Sequence, residues 1–258
     1  MSGFSPGWLA LREPADHAAR DAGLLARAAG HLAQVPDPVT VDLGAGTGST
    51  LRAFADIVPA RWRLVDADPV LLEEARRRHP GAETVLADLA AVDGLPLDGA
   101  RLVTASALFD LVSNAFAQAL ARRLAAERLP LYAALTIDDA IAFAWPHPLD
   151  AALLACVAAH RHRDKGLGPA LGGGATAALS AALAGHGYAV ETAASPWRLG
   201  PGSEALQVAY VEGLAEAARE TGAIAADAIA SWLAYRRAQA EAGASCTVGH
   251  LDLLAHPL

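Results

Sequence analysis

Several features that would mark a protein class are scarce or missing in these 258 residues. The only two cysteines, Cys156 and Cys246, are far apart. They lack the short spacing of a metal site, and such sparse cysteine fits a reducing compartment. No apolar run reaches membrane-spanning length without charges or glycines. The first residues, Met1 to Pro6, have neither a basic start nor an apolar segment, so we expect no signal peptide. We therefore expect a cytoplasmic protein with no membrane partner.

Positive charge is also in short supply, with 20 lysines and arginines against 28 acids and a net charge of -8. An acidic chain disfavours non-specific contact with nucleic acid, so we expect no nucleic-acid partner. Hydrophobic residues make up 53% and charged residues 19%, which predicts a large core and excludes global disorder. The histidines, including the pair His160 and His162, show no metal-ligand spacing supported by other ligands. We predict no metal.

A glycine-rich stretch stands near the start of the chain. The β-branched run from Val39 predicts a short strand, and glycines at 44, 46 and 48 predict a tight turn into a helix. A dinucleotide fingerprint would need glycine where Ser49 stands, and a phosphate loop would need a lysine that is absent. Asp42, just before the glycines, offers a carboxylate. The turn therefore suits a ligand with a cationic or hydroxylated part.

Segments with strand character alternate with helices along the rest of the chain. The first strand runs from Val39 into the glycine turn, and others are predicted at 61–66, 84–88, 100–105, 130–137, 187–192 and 245–254. The N-terminal segment predicts amphipathic helices interrupted near Pro14. The alternation predicts an α/β fold with a parallel sheet and helices on both faces, in one domain over residues 1–258.

Three motifs resemble those of the class I S-adenosylmethionine-dependent methyltransferases. Val41-Asp42-Leu43-Gly44-Ala45-Gly46-Thr47-Gly48 is close to the family's first motif, and Leu64-Val65-Asp66-Ala67-Asp68 and Leu86-Ala87-Asp88-Leu89 follow the next two strands. The resemblance implies a Rossmann-like, doubly wound sheet of seven mostly parallel strands, the last antiparallel. It implies S-adenosyl-L-methionine as the cofactor. It also implies a helical lid at 1–36 and a substrate-covering insertion at 145–185.

Site roles follow from the same resemblance, position by position. It implies that Asp42 contacts the amino end of the cofactor, Asp66 the ribose hydroxyls and Asp88 the adenine amine. A carboxylate suits the ribose because it has two acceptor oxygens in one plane. A single acid of this kind is more typical of a helix cap or turn, but three on successive strands favour a cofactor site. The predicted cofactor residues are Asp42, Gly44, Ala45, Gly46, Asp66, Ala67, Asp88, Leu89 and Ser106.

Methyl transfer needs an aligned acceptor and often a base for its proton. We predict Asp110 and His160 as catalytic candidates, because Asp110 follows the fourth strand and His160 begins a basic segment. Asp110 as a helix cap, and the basic segment as a solvated helix end, remain open alternatives. The predicted substrate residues are Arg12, Phe109, Arg163, Lys165, Trp197 and Arg198. For Trp197 the alternative is ordinary packing, and for Arg12 it is a surface role.

These observations predict a methyltransferase whose partner is a small-molecule methyl acceptor, polar or anionic, methylated on oxygen, nitrogen or carbon. The chain has no Asn-Pro-Pro-Tyr type signature and no Pro-Cys pair, which argues against nucleic-acid bases as acceptors. The alternative from another class is a non-catalytic S-adenosylmethionine-binding sensor or assembly protein. A nicotinamide oxidoreductase is a weaker alternative, and a homodimer is left open.

Overall fold

Residues 4–258 are described by a computed structural model, and they form eight strands and nine α-helices. The strands are β1 Val39–Leu43, β2 Arg61–Asp66, β3 Glu83–Leu86, β4 Ala100–Ser106, β5 Leu131–Phe143, β6 Tyr188–Ala194, β7 Trp197–Leu199 and β8 Cys246–Pro257. The helices are α1 Pro6–Ala19, α2 Ala22–Leu32, α3 Ser49–Phe54, α4 Pro69–Arg78, α5 Asn114–Glu127, α6 Asp150–Arg161, α7 Ala175–Gly185, α8 Glu204–Thr221 and α9 Ala226–Glu241.

One sheet contains all of these strands, in the order β3-β2-β1-β4-β5-β8-β6, with β7 also paired to β8. The five strands from β3 to β5 are parallel, and β8 runs antiparallel to β5, β6 and β7. The predicted Rossmann-like class and the antiparallel last strand are confirmed. The seven predicted strands form the continuous order of the sheet, and the three residues of β7 add a short eighth strand beside β8.

The sheet buries a hydrophobic layer on each face, because successive side chains of a strand point to opposite sides. In β4, Leu102 belongs to the layer formed with α2, α3 and α4, and Val103 belongs to the layer formed with α5 and α7. Tyr132 and Ala133 of β5 divide in the same way. Helices on both faces make the sheet doubly wound.

β5 extends past the predicted end at Ile137 and reaches Phe143. Its pairing with β8 shifts register twice, before Thr136 and before Ile141. The extended halves of β5 and β8, together with β7, carry two further apolar clusters. One is built with α6, α8 and α9 around Trp232, and the other receives Trp8 and Leu11 of α1. Both clusters therefore lie beyond the carboxyl edge of the parallel strands, where β5 continues past its neighbours.

The N-terminal helices differ from prediction, because α1 passes through Pro14 and ends at Ala19, with Arg20 as its C-cap. The chain turns there because the amide of Asp21 donates to the buried carboxylate of Asp252 at 2.9 Å, and the side chain of Asp21 caps α2. Asp252 also accepts from the hydroxyl of Tyr132 and the amide of Leu135. It ties the α1–α2 junction to the sheet. Within residues 4–258, no helix combines the length and apolar character needed to cross a membrane.

Candidate functional site

The glycine turn connects β1 to α3 at the carboxyl edge of the parallel strands. Gly44, Gly46 and Gly48 have φ of 66°, 54° and 84°, a left-handed conformation that side chains other than glycine rarely adopt. A Cβ on Gly44 would lie 3.3 Å from Leu108, and one on Gly46 would lie 3.1 Å from Leu9 of α1. The turn therefore depends on glycine for both its conformation and its close contacts.

Asp42, the residue before Leu43 and the turn, is only 1% exposed. Its Oδ1 accepts a hydrogen bond of 2.7 Å from the hydroxyl of Thr104 on β4. Among the described residues its Oδ2 is buried without a hydrogen-bond partner. Burial raises the pKa of Asp42 to about 7, against the lowering effects of the Thr104 hydrogen bond and of the nearby positive charge of Arg20. A positively charged donor would pair with the free oxygen.

Arg20, at the end of α1, is a site residue that the sequence analysis missed. It is 6% exposed, and its Nη2 donates to the Ser106 hydroxyl at 3.1 Å. Its Nε and Nη1 are buried with no partner in the part of the chain that is described. The local pattern around Arg20 reads as an ordinary helix end, so only the fold shows that this cation lies near Asp42. Within residues 4–258, Asp42 thus has one free carboxyl oxygen, and Arg20 has two free nitrogen atoms. Together they suit a ligand that carries both a positive and a negative charge.

The acids that follow β2 and β3 lie at the same edge of the sheet. Asp66 is 8% exposed, and it accepts hydrogen bonds from the amides of Gly46 at 2.8 Å and Asp68 at 2.9 Å. Burial is the main cause that raises its pKa. Asp88 is exposed, and its side chain accepts from the amide of Ala90 at 2.9 Å. Leu89 is buried beside it. The three predicted acids thus belong to the ends of three adjacent strands.

The segment from Thr40 to Leu129, which holds β1 to β4 and all three acids, matches the family model described as "Methyltransferase domain". This part of the chain is therefore similar to a methyltransferase domain, as the motifs after β1, β2 and β3 predicted. Among curated proteins, none matches the chain. The predicted enzyme class, a methyltransferase, is confirmed by this domain match, and the predicted cofactor agrees with it.

The fold of this methyltransferase is similar to those of two solved structures. One is the cyclopropane synthase MmaA2 from Mycobacterium tuberculosis, with a TM-score of 0.55, 13% identity and coverage of 98% of this chain and 94% of that chain. The other is the YcgJ protein from Bacillus subtilis, with a TM-score of 0.53, 15% identity and coverage of 91% and 97%. At these identities the likeness shows the fold alone.

Helix α1 lies over the glycine turn and forms several polar contacts with it. Glu13 pairs with Arg52 of α3, and the Nε2 of His17 lies 3.1 Å from both the carbonyl and the hydroxyl oxygen of Ser49. Arg52 also donates to the carbonyl of Thr47 at 2.6 Å. These contacts, with those of Arg20 and Leu9, hold α1 against the glycine turn, and the predicted role of the segment as a lid stays a prediction.

Asp110 lies in a short 3-10 turn, Phe109–Leu111, directly after β4. Its Oδ1 is buried and has no partner among the described residues. Burial raises the pKa of Asp110 to about 6, while the positive charges of Arg12 and Arg161 lower it. The neighbouring Phe109 is 1% exposed and packs in the apolar layer with α5 and α7. Asp110 therefore lies directly beyond the carboxyl end of β4, and Phe109 lies in the core rather than at a surface.

Arg12 and Trp197 are held together by a residue that the sequence analysis did not assign. Asp16 accepts from Arg12 Nε at 2.8 Å and from Trp197 Nε1 at 2.9 Å. The guanidinium of Arg12 lies 5.0 Å from the centre of the Trp197 ring. Trp197 is 2% exposed, so it is a buried member of β7 rather than a residue of the rim. The polar groups of this pair already have protein partners.

The predicted basic segment divides into two groups. His160 Nε2 lies 2.7 Å from a carboxylate oxygen of Glu220, and Arg163 donates to the Glu220 carbonyl at 3.2 Å. Lys165 also acts on Glu220 and contributes to lowering its pKa. These three side chains therefore gather at the contact of α6 with α8, and Arg198 is exposed on β7. No group of three or more potential metal ligands occurs within residues 4–258.

Arg161, between the two histidines, takes a different direction, since neighbouring helical residues are about 100° apart. It pairs with the carboxylate of Asp139 in β5, which also accepts from the amide of Gly173 at 3.0 Å. The charges of Arg161 and Asp139 both act on Asp110. The basic segment thus contributes Arg161 near Asp110, a residue that we had not singled out.

Proposed function

We propose that this methyltransferase methylates a small polar molecule whose reacting oxygen or nitrogen carries a proton. The observation that carries the proposal is the buried, unpaired Oδ1 of Asp110. Asp110 follows β4, the strand whose last residue is Ser106, a partner of Arg20. A carboxylate at this point can accept the proton that the acceptor loses. We further propose that the enzyme acts in the cytoplasm.

The residues fit the proposed cofactor contacts. The free Oδ2 of Asp42 suits the ammonium of the methionine portion, and the free N–H groups of Arg20 suit its carboxylate. Asp66 already accepts two backbone N–H groups, but each carboxylate oxygen has a second lone pair for a ribose hydroxyl. Asp88 is exposed at the end of β3, where an adenine amine can reach it. Backbone contacts are proposed for Gly44, Ala45, Gly46, Ala67 and Leu89.

The chain's own contribution to the reaction is alignment and proton transfer. When bound, S-adenosylmethionine supplies an electrophilic methyl group whose bonding electron pair returns to sulfur. The acceptor uses a lone pair to form the new bond to carbon, and its proton passes to Asp110. A carboxyl group with a pKa of about 6 is ionised near neutral pH and remains basic enough to take that proton. The burial of Asp110 keeps water away from its free oxygen.

The charges around Asp110 favour a polar acceptor over an anionic one. Arg12 and Arg161 are the nearby cations, and Asp16 and Asp139 already pair with them. Each cation is therefore already balanced by an acid, which weakens its attraction for a carboxylate or phosphate of the acceptor. The three basic residues that we predicted as anion contacts are more exposed. Arg163 and Lys165 lie near Glu220 of α8, and Arg198 lies on the outer face of β7. We retain methylation of oxygen or nitrogen, since both can carry the proton that Asp110 accepts.

The experiment is a screen of small polar metabolites with methyl-labelled S-adenosylmethionine. We expect S-adenosylhomocysteine to appear only when an acceptor is present, and the product to carry the label. Asp110→Asn should bind the cofactor with wild-type affinity but lower kcat by about 10²- to 10⁴-fold, the usual contribution of a general base. Asp93→Asn is the matched control, because Asp93 occupies the same place in another 3-10 turn and is exposed.

Two outcomes would contradict the proposal in different ways. Unchanged kcat in Asp110→Asn would remove Asp110 as the base but leave methyl transfer standing. Tight cofactor binding with no product from any acceptor class would favour the non-catalytic sensor or assembly protein.

A further inference from the structure

A cleft of about 460 Å³ opens at the edge of the sheet opposite to the glycine turn. Its lining includes Ala100 and Arg101 at the beginning of β4, and Leu129 and Pro130 just before β5. His31 near the end of α2 and His256 near the end of β8 complete its walls. Amino ends of parallel strands and carboxyl ends lie at opposite edges, so this cleft is separate from the proposed cofactor site.

The cleft is cationic although the protein as a whole is acidic. His31, Arg101, Arg128 and His256 line it, and their only acidic companion in the lining is Glu127. Glu127 is already paired with Arg123 at 2.7 Å. The rings of His31 and His256 lie with their centres 5.5 Å apart. Glu127 therefore does not neutralise Arg101 or Arg128, which carry the positive charge of the cleft, while the pKa values of both histidines are lowered and their rings are neutral at neutral pH.

Two nitrogen atoms of this lining have no hydrogen-bond partner. Within the described residues, His31 Nε2 and Arg101 Nε are both buried and unpaired. Basic residues at the ends of α2 and α5 would also be favourable for the helix dipoles. That explanation suffices for Arg128, which donates to the carbonyl of Leu258 at 2.9 Å. The helix dipole does not explain the unpaired nitrogen of Arg101, because this residue lies in β4 and not at a helix end. It also does not explain His31 Nε2, because a nitrogen that served the end of a helix would bond to one of its carbonyl oxygens.

Burial and positive charge act together on the two histidines of the cleft. The pKa of His31 is lowered first by burial and then by the charges of Arg101 and His256, while a hydrogen bond with the backbone of Arg101 opposes the change. The pKa of His256 is lowered by burial and by Arg27, and Glu191 opposes that change. Arg27 and Glu191 pair with each other at 3.0 Å, which leaves Arg101 and Arg128 as the permanent positive charges of the cleft. An anion would pair with these charges and would accept hydrogen bonds from Arg101 Nε and from the N–H of a His31 ring protonated at Nε2.

We propose that this cleft is a second ligand site, which binds a small organic anion. Its carboxylate or phosphate group would lie between Arg101 and His31. Its apolar part would pack on Ala100, Leu129 and Pro130, which is consistent with a cleft much larger than a bare oxyanion. The site is distinct from the acceptor site, where the arginines are already paired.

The test uses benzoate, with benzylamine as a probe of similar shape and opposite charge. We expect calorimetry to detect benzoate and not benzylamine, and the imidazole NMR signals of His31 and His256 to move with benzoate. Arg101→Gln should weaken benzoate binding about tenfold or more, as expected for the loss of a charged hydrogen bond. Arg61→Gln is the matched control, because Arg61 is an exposed arginine at the start of β2 that pairs with Asp37. It should bind benzoate as the wild type does.

Further measurements separate this cleft from the cofactor site. Asp110→Asn should leave benzoate binding unchanged, and Arg101→Gln should leave S-adenosylmethionine binding unchanged. If Arg101→Gln unfolds, His31→Gln provides the same test, with the same expected loss. Equal binding of benzoate and benzylamine, no binding of benzoate, or unchanged affinity in the cleft variants would overturn the proposal.

Discussion

The hydroxyl of Thr104 donates a hydrogen bond of 2.7 Å to Oδ1 of Asp42, and the other oxygen of that buried carboxyl has no partner among the described residues. The pKa of Asp42 is about 7 in the folded protein, compared with about 4 in an unfolded chain. Between these values the folded state binds the proton more tightly. The contribution of Asp42 to stability is therefore present at low pH and is lost as the pH rises through about 7.

Asp42→Asn should separate stability from cofactor binding. Asparagine retains an oxygen for Thr104 but removes the charge, so we expect a higher Tm at about pH 8. For a chain of this size each kcal/mol corresponds to about 2–4 °C, so a rise of several degrees should be measurable. The same variant should lose S-adenosylmethionine binding in calorimetry. Asp56→Asn, at an exposed position after α3, should change neither quantity. A lower Tm for Asp42→Asn would contradict the expected electrostatic cost.

Cofactor affinity should depend on pH through the same group. Protonated Asp42 cannot pair with an ammonium, so the Kd for S-adenosylmethionine should rise as the pH falls below about 7. The expected slope is about tenfold per pH unit over the range in which Asp42 alone titrates. Calorimetry in buffers from about pH 6 to pH 8 measures it. A Kd that does not change over this range would show that the carboxyl is ionised throughout or does not touch the cofactor.

Arg20→Gln tests the second half of the proposed zwitterion site. The variant removes the guanidinium with its two unpaired nitrogen atoms, Nε and Nη1, and a lost hydrogen bond to a charged group weakens binding by about 10- to 100-fold. Arg27→Gln, an exposed arginine of α2, should bind the cofactor as the wild type does. Equal affinities for wild type and Arg20→Gln would place the carboxylate of the cofactor elsewhere. Circular dichroism of both variants checks that α1 and α2 remain folded.

Local patterns in the sequence predicted the first four strands and the turn between β1 and α3. Asp68 and Pro69 begin α4 as predicted, because N-cap and first-turn preferences depend only on neighbouring residues. The position of Arg20 depends instead on the bond from Asp21 to Asp252, which is 231 residues away along the chain. No periodicity of a short segment contains that information.

The substrate side was harder to predict for the same reason. His160 and Arg161 are adjacent residues of one basic segment, and the packing of α6 alone decides that one pairs with Glu220 and the other with Asp139. The extension of β5 was also missed, since Asp138 and Asp139 resemble a loop after the strand. In the fold these acids lie where the register of β5 and β8 shifts, with Asp139 at a φ of 65°.

That irregular part of β5 depends on a glycine in the neighbouring strand, which leads to a last prediction. A Cβ on Gly249 of β8 would lie 2.0 Å from Oδ1 of Asp138. The same oxygen accepts a 2.9 Å hydrogen bond from the amide of Ala140. Gly249→Ala must displace Asp138 and break this bond, so we expect a loss of about 1–3 kcal/mol. Gly213→Ala is the control, since Gly213 lies in α8 with open space around it and alanine should stabilise a helix interior by about 0.5–1 kcal/mol.

Gly249→Ala, combined with Asp138→Ala, also tests the link between β5 and the acceptor site. Shortening the opposing side chain relieves the clash, so Asp138→Ala combined with Gly249→Ala should be more stable than the two separate losses predict. Chemical denaturation of the four proteins measures that difference. Asp139 follows Asp138 directly and holds Arg161, so Gly249→Ala should also lower kcat while cofactor affinity is retained. If the loss of unfolding free energy in the double variant equals the sum of the two single losses, the contact with Asp138 is not the reason that glycine is needed at position 249.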